Sequence, residues 1–255
     1  MHINNFIRDL HTEIHKVKPW VKFGVSPFGI WRPGYPKQIK GLDAYDALYA
    51  DARLWLREGW LDYCAPQLYW PISAKAQSYP ALMQWWHEQN PKRRHLWPGN
   101  NTARIDPWPA KEIISQIDLT RRHPGATGNI HWNLSALHDN RKEIATKLQS
   151  GAYAQHALPP ASPWLDSRPP KAPVVGIHWD AAKRQINVTW REIQKDNIRR
   201  WIFQMRVNGK WHVRIVQSTQ RIISIRVAKN FPDAIAVTAI DAGGNTSMPA
   251  VLTKR

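Results

Sequence analysis

Apolar positions in the first part of the chain alternate between helical spacing and short continuous runs. Phe6, Ile7, Leu10, Ile14 and Val17 recur at three- and four-residue intervals until Pro19, which predicts a helix with one buried face. Val21 to Ser26 follows as a short strand. Asp43 is placed to cap a helix that carries Tyr45, Leu48, Tyr49, Ala52, Trp55 and Leu56 on one face and stops near Gly59. Asp62 to Tyr69 is the next strand, with Pro71 at its exit. The pattern then repeats. A helix begins near Pro80 with Leu82, Met83, Trp85 and Trp86, followed by a strand from His95 to Asn100. Another begins near Pro109 with Ile113, Ile114 and Ile117, followed by a strand from Gly128 to Asn133 and a closing helix from Asp139 to Gly151. Helix and strand alternate with no hairpin signal between them, as parallel βα units do.

The pattern changes after residue 155. Pro159, Pro160, Pro163, Pro169, Pro170 and Pro173 make residues 156–173 an extended linker that cannot continue a helix. Beyond it lie seven short alternating segments: Gly176 to Trp179, Gln185 to Trp190, Trp201 to Val207, Trp211 to Val216, Ile222 to Val227, Ala234 to Ile240 and Ser247 to Leu252. Asn208-Gly209 between two of them is a strong hairpin turn signal. Residues 174–255 therefore read as a small β-sandwich. The chain is α/β plus all-β, with the βα part over residues 1–155.

Composition narrows the picture. At 43% hydrophobic residues the chain can bury a core, and no apolar run reaches the 18 or more residues of a membrane span. The N-terminus as written has neither a basic nor an apolar signal-peptide region. Cys64 is the only cysteine, which excludes an internal disulfide and multi-cysteine zinc patterns. The net charge of +17 favours polyanions such as nucleic acid, anionic headgroups or cell-wall polymers. Basic residues are scattered, with Lys92-Arg93-Arg94 and Arg199-Arg200 the tight clusters, so no specific nucleic-acid function is expected. The eleven histidines are dispersed; no metal site and no cofactor are expected, and no Walker or Gly-x-Gly-x-x-Gly loop occurs.

Chemistry in a βα fold concentrates at the C-terminal ends of the strands and in the loops after them. Those positions hold Ser26, Trp31 and Arg32; Gln67, Tyr69 and Trp70; Asn100, Asn101 and Arg104; and Trp132, Asn133 and Ser135. Amides, hydroxyls and indoles suit a sugar, whose hydroxyls need directional donors and acceptors and whose apolar face lies on an aromatic ring. Arg32 could pair with an anionic group such as a muramic lactyl carboxylate. Each of these residues also has a purely structural reading, as loop cap or rim packing.

Two strings within this series carry a resemblance. Phe23 to Arg32, followed by Tyr63-Cys64-Ala65-Pro66-Gln67-Leu68-Tyr69-Trp70, resembles the paired motif of the glycosyl-hydrolase-like 10 family, envelope proteins built on a (β/α)8 barrel. The resemblance implies a partial barrel, about the last four βα units, since eight strands typically take about 250 residues. It implies peptidoglycan glycan strands as the substrate and a periplasmic or secreted location in the cell envelope. The ending Val237 to Ser247 similarly resembles the last hairpin of fibronectin type III domains.

A glycosidase usually needs two carboxylates flanking the scissile bond. None of the strand-end positions above is Asp or Glu. The nearest acids are Asp106, the sole candidate catalytic group, and Asp43, which a capping role explains. In the family an acidic cluster follows an earlier strand, so the chain is expected to be a truncated or incomplete form, inactive alone. The alternative is a non-catalytic polysaccharide or cell-wall binding protein. A half-barrel exposes two strand edges, so either a homodimer or a missing N-terminal half-barrel is expected to cover them.

Overall fold

The computed structural model describes residues 2–194, 197–227 and 231–253. The chain forms two compact units, Met1–Gln155 and His156–Arg255.

The first unit opens with helix α1 (His2–Val17) and strand β1 (Gly24–Val25), followed by α2 (Ala44–Ala47), α3 (Ala52–Glu58) and β2 (Tyr63–Cys64). Helix α4 (Tyr79–Glu88) leads to β3 (His95–Leu96) and β4 (Gly99–Asn100), and α5 (Ala110–Arg122) leads to β5 (Ile130–His131). Helices α6 (Leu134–His138) and α7 (Ile144–Ser150) close the unit. β1, β2 and β3 pair in parallel in that order, and β4 pairs in parallel with β5. Parallel bridges from Phe28 to Gln67 and from Gln67 to Gly99 carry the ladder across the gap between the two sheets. Backbone bonds run the same way: Asp62 N–H to Phe23 C=O at 2.7 Å, Trp97 N–H to Cys64 C=O at 2.9 Å, and Trp132 N–H to Asn100 C=O at 2.8 Å. The result is one arc of four parallel segments, the third interrupted at Trp97-Pro98.

Its core is built from the predicted helix faces. Trp55, Leu56, Leu82, Met83, Trp85 and Trp86 pack with Cys64, Leu68 and Leu96, while Ile113, Ile117, Ile144 and Leu148 form an adjoining cluster. Burial raises the Cys64 thiol far above its ordinary pKa.

Two helix expectations are corrected. The single helix from Asp43 to Gly59 is two helices, because Asp51 is a second N-cap that accepts from Leu54 N–H at 3.1 Å, and Tyr49 before it sits in the left-handed region at φ 52°. Tyr45, Leu48 and Tyr49 consequently face outward. The closing helix starts earlier, at Leu134, and is interrupted at Asn140, Lys142 and Glu143, where φ is 49°, 48° and 60°. The strands are also shorter than their apolar runs, since irregular loops take over most of each run.

The second unit contains β6 (Val174–Asp180), β7 (Gln185–Arg191), β8 (Ile198–Val207), β9 (Lys210–Gln217), β10 (Ile222–Arg226), β11 (Ala234–Asp241) and β12 (Ala250–Thr253). They form two antiparallel sheets, β10-β7-β6 and β12-β11-β8-β9, with Trp190, Trp201, Phe203 and Val237 in the shared core. This is a three-on-four sandwich, as the fibronectin-like ending implies. Asn208 and Gly209 take positive φ, 50° and 75°, at the β8–β9 turn, as a primed two-residue hairpin requires. The proline-rich stretch lies against the sandwich: Ser162 is fully buried and its N–H donates to Gly243 C=O at 2.8 Å, and Asn245 Nδ2 donates to Asp166 C=O at 2.9 Å.

Candidate functional site

The loops after the four parallel segments bring part of the strand-end set together. Gly29 packs against the Gln67 backbone so tightly that a Cβ there would lie 2.3 Å from its carbonyl oxygen, and Trp86 Nε1 donates to Gly29 C=O at 2.9 Å. This close approach needs glycine and holds the loop after β1 beside the loop after β2. Gln67 Nε2 donates to Ser26 C=O at 3.0 Å, and Phe28 meets Trp70 edge to face with centroids 5.6 Å apart. Gly99 comes close to the Tyr69 ring, a Cβ there lying 3.0 Å from it. Trp132 is fixed through its backbone, its N–H donating to Asn100 C=O and its C=O accepting from Ala103 N–H, both at 2.8 Å, while its side chain is 56% exposed. The Asn101 side-chain oxygen is buried without a hydrogen-bond partner. Ser26, Gln67, Tyr69, Trp70, Asn101 and Trp132 thus stand at the C-terminal ends of consecutive strands.

Other candidates sit elsewhere. Asn100 is fully buried: its Nδ2 donates to Gln116 Oε1 at 2.9 Å and to Tyr79 Oη at 3.3 Å, and its Oδ1 accepts from Asn129 Nδ2 at 2.8 Å. It braces the wall from behind. Trp31 is 8% exposed, stacked on Trp85 at 5.8 Å, with Nε1 donating to Asp51 at 3.0 Å. Arg32 is held by Asp43, its Nε 3.0 Å from Oδ2, and lies over the Tyr45 ring at 4.8 Å. An anionic ligand at Arg32 must therefore compete with Asp43. Asn133 caps α6, accepting from Ser135 N–H at 3.0 Å and from the Ser135 hydroxyl. Asp106 is exposed and paired with Arg141.

The residue that sequence reasoning missed is Glu112, in the first turn of α5. Its Oε1 accepts from Ile72 N–H at 2.7 Å and from Gln116 Nε2 at 2.9 Å, and Gln116 Nε2 also donates to Trp70 C=O at 3.2 Å. Glu112 and Gln116 therefore set the loop that carries Trp70. An acid in a helix's first turn ordinarily reads as favourable to the helix dipole, so the sequence held no signal of a distant loop partner. Behind this loop, Tyr79 Oη lies 3.0 Å from Thr120 Oγ1, and burial pushes its pKa up to about 12. His131 bridges Thr102 Oγ1 at 2.7 Å and Tyr153 Oη at 2.8 Å, and burial holds it below its ordinary pKa.

Chemically, the row offers amide and hydroxyl hydrogen bonds and aromatic faces. The carboxylates of Asp43, Asp51, Asp106 and Glu112 are each engaged by an arginine, an indole or a backbone amide.

Residues 1–114 match the glycosyl hydrolase-like 10 family. The resemblance carried by the two motifs holds. Among curated relatives, the glycosyl hydrolase YngK of Bacillus subtilis is 38% identical over 183 residues, covering 67% of this chain and 36% of that protein. The glycosyl hydrolase DigH of Escherichia coli K12 is 39% identical over 157 residues, covering 55% of this chain and 36% of that one. The chain spans about a third of the length of these relatives. Among solved structures, a fibronectin type III domain of human collagen XX aligns with 38% of this chain and 100% of its own at 17% identity and a TM-score of 0.26. At that score the alignment adds nothing to the strand order. The family match covers the loops after β1 and β2 and reaches the start of α5, so it includes Ser26, Gln67, Trp70, Asn101 and Glu112.

Proposed function

We propose that the first unit is one wall of a glycan-binding cleft in a glycosyl hydrolase-like envelope protein that acts on peptidoglycan glycan strands, and that the chain alone does not hydrolyse them. The observation that carries this reading is the strand-end row of Gln67, Tyr69, Trp70, Asn101 and Trp132, with the exposed Trp132 ring at one end and the carboxylates Asp43, Asp106 and Glu112 already engaged. Sugar recognition needs such polar and aromatic groups; glycosidic hydrolysis needs, in addition, a pair of carboxylates free to act as acid and base or nucleophile.

In the same reading the four parallel segments correspond to about the last four βα units of a (β/α)8 barrel. Among the described residues β1 is paired on one side by β2 and β5 on one side by β4, leaving two strand edges that a second copy of the chain or further polypeptide supplying the other half would cover. Sedimentation of the purified chain as a monomer over the micromolar range would exclude the second copy.

The test uses peptidoglycan glycan strands freed of stem peptides, the untouched chain and Trp132→Ala. Cosedimentation with the glycan is expected for the wild type and several-fold weaker retention for the variant, with no new reducing ends in either case. Because Trp132 is more than half exposed, its removal leaves the melting temperature within a degree or two. Release of short glycans sinks the inactive assignment. Equal retention of both proteins sinks the assignment of the wall.

A further inference from the structure

The opposite, N-terminal ends of the same strands carry a different constellation. His11 and His15 stand one turn apart on α1, with ring centroids 4.2 Å apart, and both face Asp62, the residue just before β2. The Asp62 side chain is fully buried, and its Oδ2 accepts from Phe23 N–H at 2.7 Å. Oδ2 lies 3.0 Å from His15 Nε2, and Oδ1 lies 4.0 Å from His11 Nε2.

The tautomer of His15 follows from its other nitrogen. Nδ1 lies 2.9 Å from the His11 carbonyl oxygen, and a carbonyl only accepts, so the ring proton sits on Nδ1. In the neutral ring, Nε2 then directs its lone pair at a carboxylate. Nε2 of His11 and Nε2 of His15 are both buried without a hydrogen-bond partner. One atom from each of the three residues falls within 4.8 Å of the other two. Electron-pair donors converging on one buried point repel each other unless a proton or a metal cation lies between them.

We propose that His11, His15 and Asp62 bind one divalent transition-metal ion, with Zn2+ the species best suited to two imidazoles and a carboxylate. Tetrahedral zinc with bonds of about 2.0 to 2.1 Å places its donor atoms about 3.4 Å apart. The 3.0 Å from His15 Nε2 runs to Oδ2 and the 4.0 Å from His11 Nε2 to Oδ1, so the carboxylate faces one imidazole with each oxygen at separations either side of that value. The carbonyl-fixed Nδ1–H of His15 is the kind of outer contact that orients a metal-binding imidazole. A water molecule would complete the four-coordinate shell. The ion would tie α1 to the start of β2, at the end of the strands remote from the glycan wall, so its role is structural. Arg94 is the competing cation, because its charge interacts with Asp62. This inference is independent of the glycan reading.

Untagged full-length chain is stripped with a strong chelator, then titrated with Zn2+ against a chromophoric competitor and, separately, with Co2+ followed by visible absorption. Expected are one Zn2+ per chain, d–d bands of tetrahedral intensity, and a melting temperature raised by Zn2+. His11→Gln and His15→Gln should each weaken binding at least about tenfold and abolish the thermal shift while retaining the wild-type circular dichroism. The variants are confined to the histidines because Asp62→Asn also disturbs the Phe23 amide. The proposal is overturned if the stripped chain takes up no stoichiometric Zn2+. It is equally overturned if both variants bind within threefold of the wild type, since the ion is then on other histidines, or if Co2+ gives no tetrahedral bands.

Discussion

Replacing Asn100 by alanine separates a brace from a sugar contact. The side chain is fully buried, and its amide satisfies Gln116 Oε1 at 2.9 Å and Asn129 Nδ2 at 2.8 Å. Asn129 Nδ2 keeps a second partner in Thr120 Oγ1 at 3.1 Å, whereas Gln116 Oε1 loses the Asn100 donor inside a closed core. An orphaned buried acceptor costs about 1 to 3 kcal/mol, and the small void adds about 1, so the substitution should destabilise the first unit by about 3 kcal/mol. At about 1.4 kcal/mol per tenfold, the protected amides of α5 should exchange roughly 100-fold faster in native-state hydrogen exchange. The double variant Asn100→Leu with Gln116→Leu should cost less than the sum of the single changes, because each single change already breaks the Asn100–Gln116 bond. An Asn100→Ala chain with wild-type protection in α5 but lost glycan retention would refute the brace and restore Asn100 to the ligand side.

Three further outcomes test other parts of the first unit. Asp51→Ala removes the α3 cap and leaves the Trp31 indole N–H unpaired, for a loss of about 2 kcal/mol in urea titration; a loss below about 0.5 kcal/mol would contradict the double role. Burial depresses the pKa of His131, so the folded form holds the neutral ring: its contribution is present above the ordinary histidine value of about 6.5 and is lost as pH falls below it. Unfolding titrations from pH 7.5 down to 5 should therefore show falling stability, and His131→Asn should flatten that part of the profile. Cys64, fully buried and with its thiol pKa raised, should stay unmodified by an aromatic disulfide reagent in the native chain and react at once in denaturant; fast native labelling would place it at the surface.

Local pattern determined the architecture. Helical spacing and short apolar runs give the βα series, and period-two alternation with Asn208-Gly209 gives the sandwich, because burying one face imposes a period that the chain displays directly. The two motifs likewise pointed to the family whose model matches residues 1–114. Helix ends were less legible: Asp43 and Asp51 are both acceptable caps and both are used, and the Trp31 indole N–H that Asp51 also accepts comes from outside the helix.

The site divided along the same line. Residue type located Gln67, Trp70 and Trp132 at strand ends, but the sequence held nothing to say that Asn100 turns inward while Trp132 turns out. That depends on α4 and α5 bringing Tyr79, Gln116 and Thr120 to the back of the sheet. Glu112 acquired its role from the Ile72 amide, and the His11-x-x-x-His15 pair acquired Asp62, the residue before β2. Periodicity is a property of neighbours along the chain and survives in one dimension. Hydrogen-bond saturation and metal geometry depend on groups far apart in sequence, and only the tertiary structure decides which of them meet.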